Sequence, residues 1–409
     1  MNMPMLEPIA TGSWLDRQRI ARIARVSLAA TIVMIAGLFA TAHGTRDFLG
    51  RPLGTDFSNV WSAGWMALHG CAAEAWDWAA QAAVQQAVHH DPHIPFYGWH
   101  YPPPFLLIAA SLALLPYVAA LVLWQAATLA PALWLTTRIV PDRQTLLIAA
   151  AAPVVMVCLG HGHNGFLTAT LLGGGLFLLD RRPFAAGVLI GCLVYKPQFA
   201  VLLPLVLLAS RQWRAVAGAI LSASLLMLAT YAIWGWPVWH AFLDSLPLTR
   251  SVVIESGATG WEKIQTPFGA VRALGGPVGL AYGVQFTVTG IALLASLIAT
   301  LRAAPAVRNA VVLTAALLST PYALDYDYTL AGMAIAFLVA DGSARGFLRW
   351  EVSLLALAWA TPLFARGIAL VTLIPVGVMS LLALFAIAVR RMASLDHALA
   401  GITPSPSRR

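Results

Sequence analysis

Charge is what this sequence has least of. Only 10% of its 409 residues are Asp, Glu, Lys or Arg, against roughly 25% in a soluble domain. A chain built mainly around a water-exposed surface is therefore excluded. Lysine is almost missing: Lys196 and Lys263 stand alone among 25 basic residues. The net charge is +8, yet the arginines fall in short clusters between apolar runs, as topology signals do. The contiguous basic face that nucleic acid requires is lacking, so no nucleic-acid partner is expected. Cysteine is sparse too. Cys71, Cys158 and Cys192 make an odd count, and two of them sit in apolar runs, which argues against a disulfide framework. The first apolar run, which follows four arginines, is expected to stay as a helix and not to be a signal peptide. Hydrophobic residues supply 59% of the chain.

The expected fold is all-α and membrane-integral. Arg17, Arg19, Arg22 and Arg25 precede an apolar run from Val26, which puts residues 1–25 in the cytoplasm by the positive-inside rule. Residues 26–391 form one polytopic region, and 392–409 a cytoplasmic tail ending Thr-Pro-Ser-Pro-Ser-Arg-Arg. An external loop, 43–102, carries acids and tryptophans in short amphipathic stretches expected to lie on the interface. A second external loop spans 236–267. The arginine clusters at 138/143, 181/182, 211/214, 302/308, 345/349 and 390/391 set a parity of about twelve crossings. Under that parity His161–Asn164, Lys196-Pro197 and Asp325–Asp327 all fall on the outer side. One stretch breaks the parity, so either 101–116 or 146–159 is expected to be re-entrant.

Several residues carry chemistry, each with a plainer alternative. Asp56 sits at the boundary between water and hydrocarbon, where desolvation raises carboxylate basicity. It suits a general base, and it equally suits the N-cap of a helix starting near Ser58. Lys196 interrupts a long apolar run. Such a charge marks a substrate path and fits a phosphate anion, or it snorkels to the interface. His163 and Asn164, in Gly160-His161-Gly162-His163-Asn164, read as sugar or phosphate ligands or as a polar loop; the i, i+2 histidines argue against zinc. Asp325 and Asp327 form a D-x-D that can hold a divalent cation, or that complements a helix N-terminus. Lys263, in the second external loop, brings another cation to the same side. Tyr101 opens a Tyr-Pro-Pro-Pro segment where the chain re-enters the membrane.

Taken in order, these motifs resemble glycosyltransferase family 87, the DUF2029 group. The likeness rests on Thr55-Asp56-Phe57, Tyr101-Pro102-Pro103 with a later Leu115-Pro116, and the Gly160–Gly165 loop. It continues through Arg181-Arg182-Pro183, the Ala186–Gly191 run into Lys196-Pro197-Gln198, and Ser319-Thr320-Pro321-Tyr322. The resemblance implies a GT-C type multi-helix bundle and a polyprenyl-phosphate sugar donor. It implies transfer of a hexose or pentose, mannose among the candidates, to a lipid or glycan acceptor. It makes Asp56 the base of an inverting reaction and Lys196 and the His163-Asn164 loop the ligands of donor phosphate or sugar. Tyr101, Gln198, Asp325, Asp327 and Lys263 are further candidate substrate ligands, with the metal requirement left open. The expected location is the inner or plasma membrane, among membrane lipids, with the active site on the external or periplasmic face. The rival readings are a transporter or flippase, which calls for inverted repeats and midplane polar groups, and a lipid-linked saccharide polymerase.

Overall fold

The computed structural model describes residues 6–400, with side chains to residue 394; the Ser-Pro-rich tail of the 392–409 segment lies outside them. A short α1 (Glu7–Thr11) leads to α2 (Arg17–Ala40), whose N-cap Asp16 accepts from Arg19 N. The long loop after it holds α3 (Phe57–Leu68), a 3-10 turn (Ala72–Trp76) and α4 (Trp78–His89). Next come α5 (Phe105–Ala113) and α6 (Tyr117–Ile139), parted at Pro116, then α7 (Thr145–Ala150) and α8 (Pro153–His161), parted before Pro153. α9 (Gly165–Leu178) and α10 (Pro183–Gly191) follow. 3-10 turns around Lys196 separate α10 from α11 (Leu203–Ala209). The second half comprises α12 (Trp213–Leu248), α13 (Pro267–Ala273), α14 (Val278–Arg302), α15 (Pro305–Leu318), α16 (Thr329–Arg345), α17 (Glu351–Thr372) and α18 (Val376–Ala400). Proline opens α8, α10, α13 and α15, where its missing N–H leaves no orphan and its φ is already helical. Among the described residues there is no strand, only isolated bridges such as Ile264–Leu324.

Among the described residues six helices are long and apolar enough to cross a membrane: 17–40, 117–139, 213–255, 278–302, 351–372 and 376–394. Four shorter apolar helices join them. Twelve full crossings are therefore not what the helices supply. The polar interruptions do end helices where expected, at 161–164, around 196 and at 325–328, but the arms beside the first two are short. A nine-residue helix such as α5, α8 or α10 rises about 13 Å, well under a ~30 Å hydrocarbon core. Both segments expected to be re-entrant are short in this way, α5 in one case and the broken α7–α8 pair in the other.

Much of 236–267, expected as the second external loop, is helical. Gly235 (φ 72°, ψ −170°) breaks the backbone, yet the helix resumes at once and, with a π-helical end, runs to Glu255. In the 43–102 loop the amphipathic stretches are helical, but α3 is not an open surface helix: most of its residues are buried. Gly64 is the reason it packs so closely. A Cβ there would sit 2.0 Å from the Ala109 carbonyl oxygen of α5.

The middle of the bundle is α15, buried from Val307 to Leu318. Asn309 anchors its first turn by donating to Leu176 O (3.2 Å), and Arg308 forms a two-pronged pair with Asp180 (2.9 and 2.8 Å). The outside is apolar. Val26, Ile32 and Val33 of α2 and Leu225, Leu228 and Ile233 of α12 are exposed. Apolar area on that scale needs a nonaqueous neighbour, and together with the spans it describes a multi-pass membrane protein.

Candidate active site

The three breaks in the apolar runs converge. Gly162 ends α8 in the left-handed region (φ 64°), and a Cβ there would press on Phe57 at 2.7 Å. That close approach seats the His161–Asn164 turn against the start of α3, where Asp56 N donates to His161 O (2.9 Å). Trp124 and Gln125 of α6 hold the same turn by donating to Gly162 O and His163 O (both 3.2 Å). From the other side Thr329 donates to Gly165 O (2.9 Å), which brings in the 325–328 turn.

Asp56 stands at the N-cap of α3, but its side chain accepts no cap hydrogen bond. The carboxylate is free for other work and its side chain is 19% exposed. Burial pushes its pKa from 3.8 up to about 6, while Lys263, the Tyr326 hydroxyl and Lys196 pull it back. The loop that bears it is clasped by His89, whose ring nitrogens meet Ser58 Oγ and Thr45 Oγ1 at 2.8 Å each. Desolvation pushes His89 down to about 4, so this clasp is neutral.

His161 lies beside Asp56, with Nδ1 2.8 Å from Thr55 Oγ1 and 3.9 Å from Asp56 Oδ2. Its Nε2 faces Arg366 Nη1 at 3.5 Å. A guanidinium only donates, so we assign the imidazole proton to Nδ1, directed at Thr55 and Asp56. Arg366 also approaches Asp325 Oδ2 (3.7 Å), with its side chain 37% exposed.

The sequence-derived ligands divide between this mouth and a buried floor. Lys196 Nζ donates to Asp327 Oδ1 (2.6 Å) and Asn164 Oδ1 (3.1 Å), with both charged side chains almost fully buried. Asp327 Oδ2 accepts from Leu324 N (3.0 Å). His163 stacks on Tyr326, ring centroids 3.4 Å apart, and shares a 3.1 Å hydrogen bond with the Tyr101 hydroxyl. His163 Nδ1 and Asn164 Nδ2 are buried without a protein partner. Gln198 is half-buried on the 3-10 turn after Lys196 and shares no hydrogen bond with the others among the described residues.

The D-x-D carboxylates turn to different cations, Asp327 to Lys196 and Asp325 to Arg366. Among the described residues no three His, Cys, Asp or Glu side chains are grouped to share one ion. Lys263 reaches the mouth because its loop is stitched to the strand-like segment ahead of Asp325: Ile264 bridges Leu324 and Gln265 N donates to Ala323 O (2.8 Å). Its ammonium has no carboxylate within 4 Å among the described residues, to judge from the ion pairs formed.

Sequence reasoning overlooked Arg366, and it gave no separate role to His161 or Tyr326 within the motifs that contain them. Arg366 was detectable, since it is a lone charge within the apolar stretch between Glu351 and Arg390, the same signal that singled out Lys196.

The family model for glycosyltransferase family 87 matches residues 99–321, more than half of the chain. The chain belongs to glycosyltransferase family 87. No match is found among curated proteins or among solved structures. Membership makes it a membrane glycosyltransferase. The family 87 match takes in Tyr101, His163, Asn164, Lys196, Gln198 and Lys263; Asp56 precedes it and Asp325 and Asp327 follow it. The fold is what brings those three acids to the part that family 87 defines.

Proposed function

We propose that this family 87 protein transfers a sugar from a polyprenyl-phosphate donor to a hydroxyl of a lipid or glycan acceptor, on the external face of the membrane. Asp56 takes the proton of the acceptor hydroxyl as its oxygen attacks the anomeric carbon. The anomeric carbon–oxygen bond to phosphate breaks on the opposite side, and the electron pair leaves with the lipid phosphate, so configuration inverts. The observation that carries this reading is the Asp56 carboxylate itself: released from capping, partly exposed, and with its pKa pushed up to about 6. A base is most effective with a pKa near the working pH.

Around it, His161 is held by Thr55 Oγ1 at 2.8 Å and keeps its Nδ1 3.9 Å from the carboxylate. Lys196 has given two of its three protons to Asp327 and Asn164, so its part is to fix the His163–Asn164 turn. The partnerless His163 Nδ1 and Asn164 Nδ2 suit sugar hydroxyls, which both donate and accept. External orientation is supported by the arginine clusters: Arg138, Arg182, Arg214, Arg302 and Arg345 lie at helix ends remote in sequence from these turns.

The test is direct. Purified full-length protein is given a panel of polyprenyl-phosphate sugars and extracted lipid acceptors, and wild type is compared with Asp56→Asn. Transfer from at least one donor, lost by a factor of about 10²–10⁴ in the variant, supports the proposal. Equal transfer by the variant removes Asp56 from the role of base.

A further inference from the structure

Beside the site lies a groove that the transfer chemistry above does not use. About 320 Å³ of space separates the Gly257–Gln265 loop and α13 from α17 and the turn into α18. Trp261, Ile264, Ala365, Ala369, Leu370 and Val376 form its apolar walls. At the end of α17 the neighbouring Leu370, Val371, Leu373 and Ile374 are all exposed, Val371 by 86%. The groove thus lies beside an exposed apolar patch at the end of α17, a surface suited to lipid.

Two cations directly follow residues of its wall. Arg366 follows Ala365 directly and points to His161 and Asp325. Lys263 follows Glu262, which is itself on the groove wall. The carboxylates nearby are Asp56, Glu262 and Asp325. Arg366 meets Asp325 only at 3.7 Å through one nitrogen, which leaves most of its five N–H donors unused. Lys263 forms no ion pair among the described residues. Lys196, the other cation of the site, is sealed against Asp327. An apolar groove whose wall residues Glu262 and Ala365 directly precede two cations close to Asp56 and His161 has the polarity of a lipid phosphate, hydrocarbon beside anion.

We propose that this groove receives the phosphate-proximal isoprenoid units of the donor and that Lys263 and Arg366 bind its phosphate. The identity of the ligand rests on the glycosyl-transfer reading; the groove and its charges do not. At about 320 Å³ it is at the small end of ligand pockets, roughly 300–1,000 Å³. It holds only the first units of a long chain, and the remainder stays in the bilayer.

A photoreactive farnesyl phosphate, which carries no sugar, tests the groove independently of transfer. The full chain in detergent is irradiated with it and the labelled peptides are mapped by mass spectrometry. We expect label within 257–273 and 365–377, displaced by unlabelled farnesyl phosphate and not by farnesol, inorganic phosphate or phosphatidylglycerol. Lys263→Gln and Arg366→Gln each weaken competition about tenfold, as loss of a charge-assisted hydrogen bond does. Ala369→Trp fills the groove and abolishes labelling with both cations in place, and melting curves confirm that each variant is folded. Label confined to other helices, equal competition by farnesol or phosphatidylglycerol, or wild-type labelling of Ala369→Trp each overturns the proposal. Because transfer is read separately, a protein that binds farnesyl phosphate in the groove yet moves no sugar would contradict the reaction and leave the groove standing.

Discussion

Lys196 and Asp327 form a buried ion pair, 2.6 Å between Nζ and Oδ1, that ties the turn after α10 to the turn before α16. The two residues are 131 positions apart in the chain. Each comes from a break in an apolar run, and Asn164, from a third break, completes the cluster. The pair is the floor on which the mouth of the site is built.

Removing one partner leaves the other charged and buried, at a cost of roughly 3–5 kcal/mol. Lys196→Met is therefore expected to lower the melting temperature of the detergent-solubilised protein sharply. The double variant Lys196→Met/Asp327→Asn recovers much of the loss, as a double-mutant cycle shows for coupled neighbours. If Lys196→Met melts like wild type, the ion pair is not a structural strut.

Asp56 trades stability for basicity. Its pKa is about 6 in the folded protein against 3.8 for an ordinary carboxyl. Below pH 3.8 the group is protonated in both states and costs nothing. As the pH rises toward 6 the unfolded chain ionises first, so folding stability falls, and above 6 the full penalty applies. The step corresponds to roughly 3 kcal/mol as an upper figure. Asp56→Asn is predicted to melt several degrees higher than wild type at pH 7, with the difference shrinking toward pH 4. A variant that melts lower at pH 7 would refute the account of desolvation.

Tyr326 is predicted to set how high that pKa goes. Its hydroxyl favours the ionised carboxylate, so Tyr326→Phe should move the acid limb of the rate profile above pH 6. The stack on His163 is retained by phenylalanine. An unmoved midpoint would mean that the phenol does not act on Asp56.

How legible was this in the sequence? The helix breaks at His161–Asn164, Lys196-Pro197 and Asp325–Asp327 were, because polar residues inside an apolar run end helices wherever they fall. The convergence of those breaks was suggested by charge parity, and the family motifs ran through all three. The number of crossings was not legible. Hydropathy counts apolar residues and does not say whether nine of them, as in α5 or α10, go through a membrane or only into it. The end of α12 was missed for a related reason. Gly235-Trp236-Pro237 looks like a terminus, and Gly235 does break the backbone, but proline at a new helix start restores it. The choice of Asp327 over Asp325 as partner for Lys196 has no local signature at all; it follows from how the 3-10 turn at 325–328 faces the core.

Sidedness is open to labelling. In a background lacking the native cysteines, His93→Cys in the first external loop should react with a membrane-impermeant maleimide in intact cells. Arg143→Cys, between α6 and α7, should react only after permeabilisation; both positions are exposed. The opposite pattern would place Asp56 in the cytosol and end the external-face proposal.

The central claim is that Asp56 is the proton acceptor, and the pH dependence of kcat/KM with a saturating lipid-linked sugar series addresses it most directly. The account predicts a rate that climbs tenfold per pH step on the acid side and levels off near pH 6 in wild type, with that limb absent from the residual rate of Asp56→Asn. A wild-type profile that is flat from pH 5 to 8, or an acid limb that persists unchanged in Asp56→Asn, would contradict it.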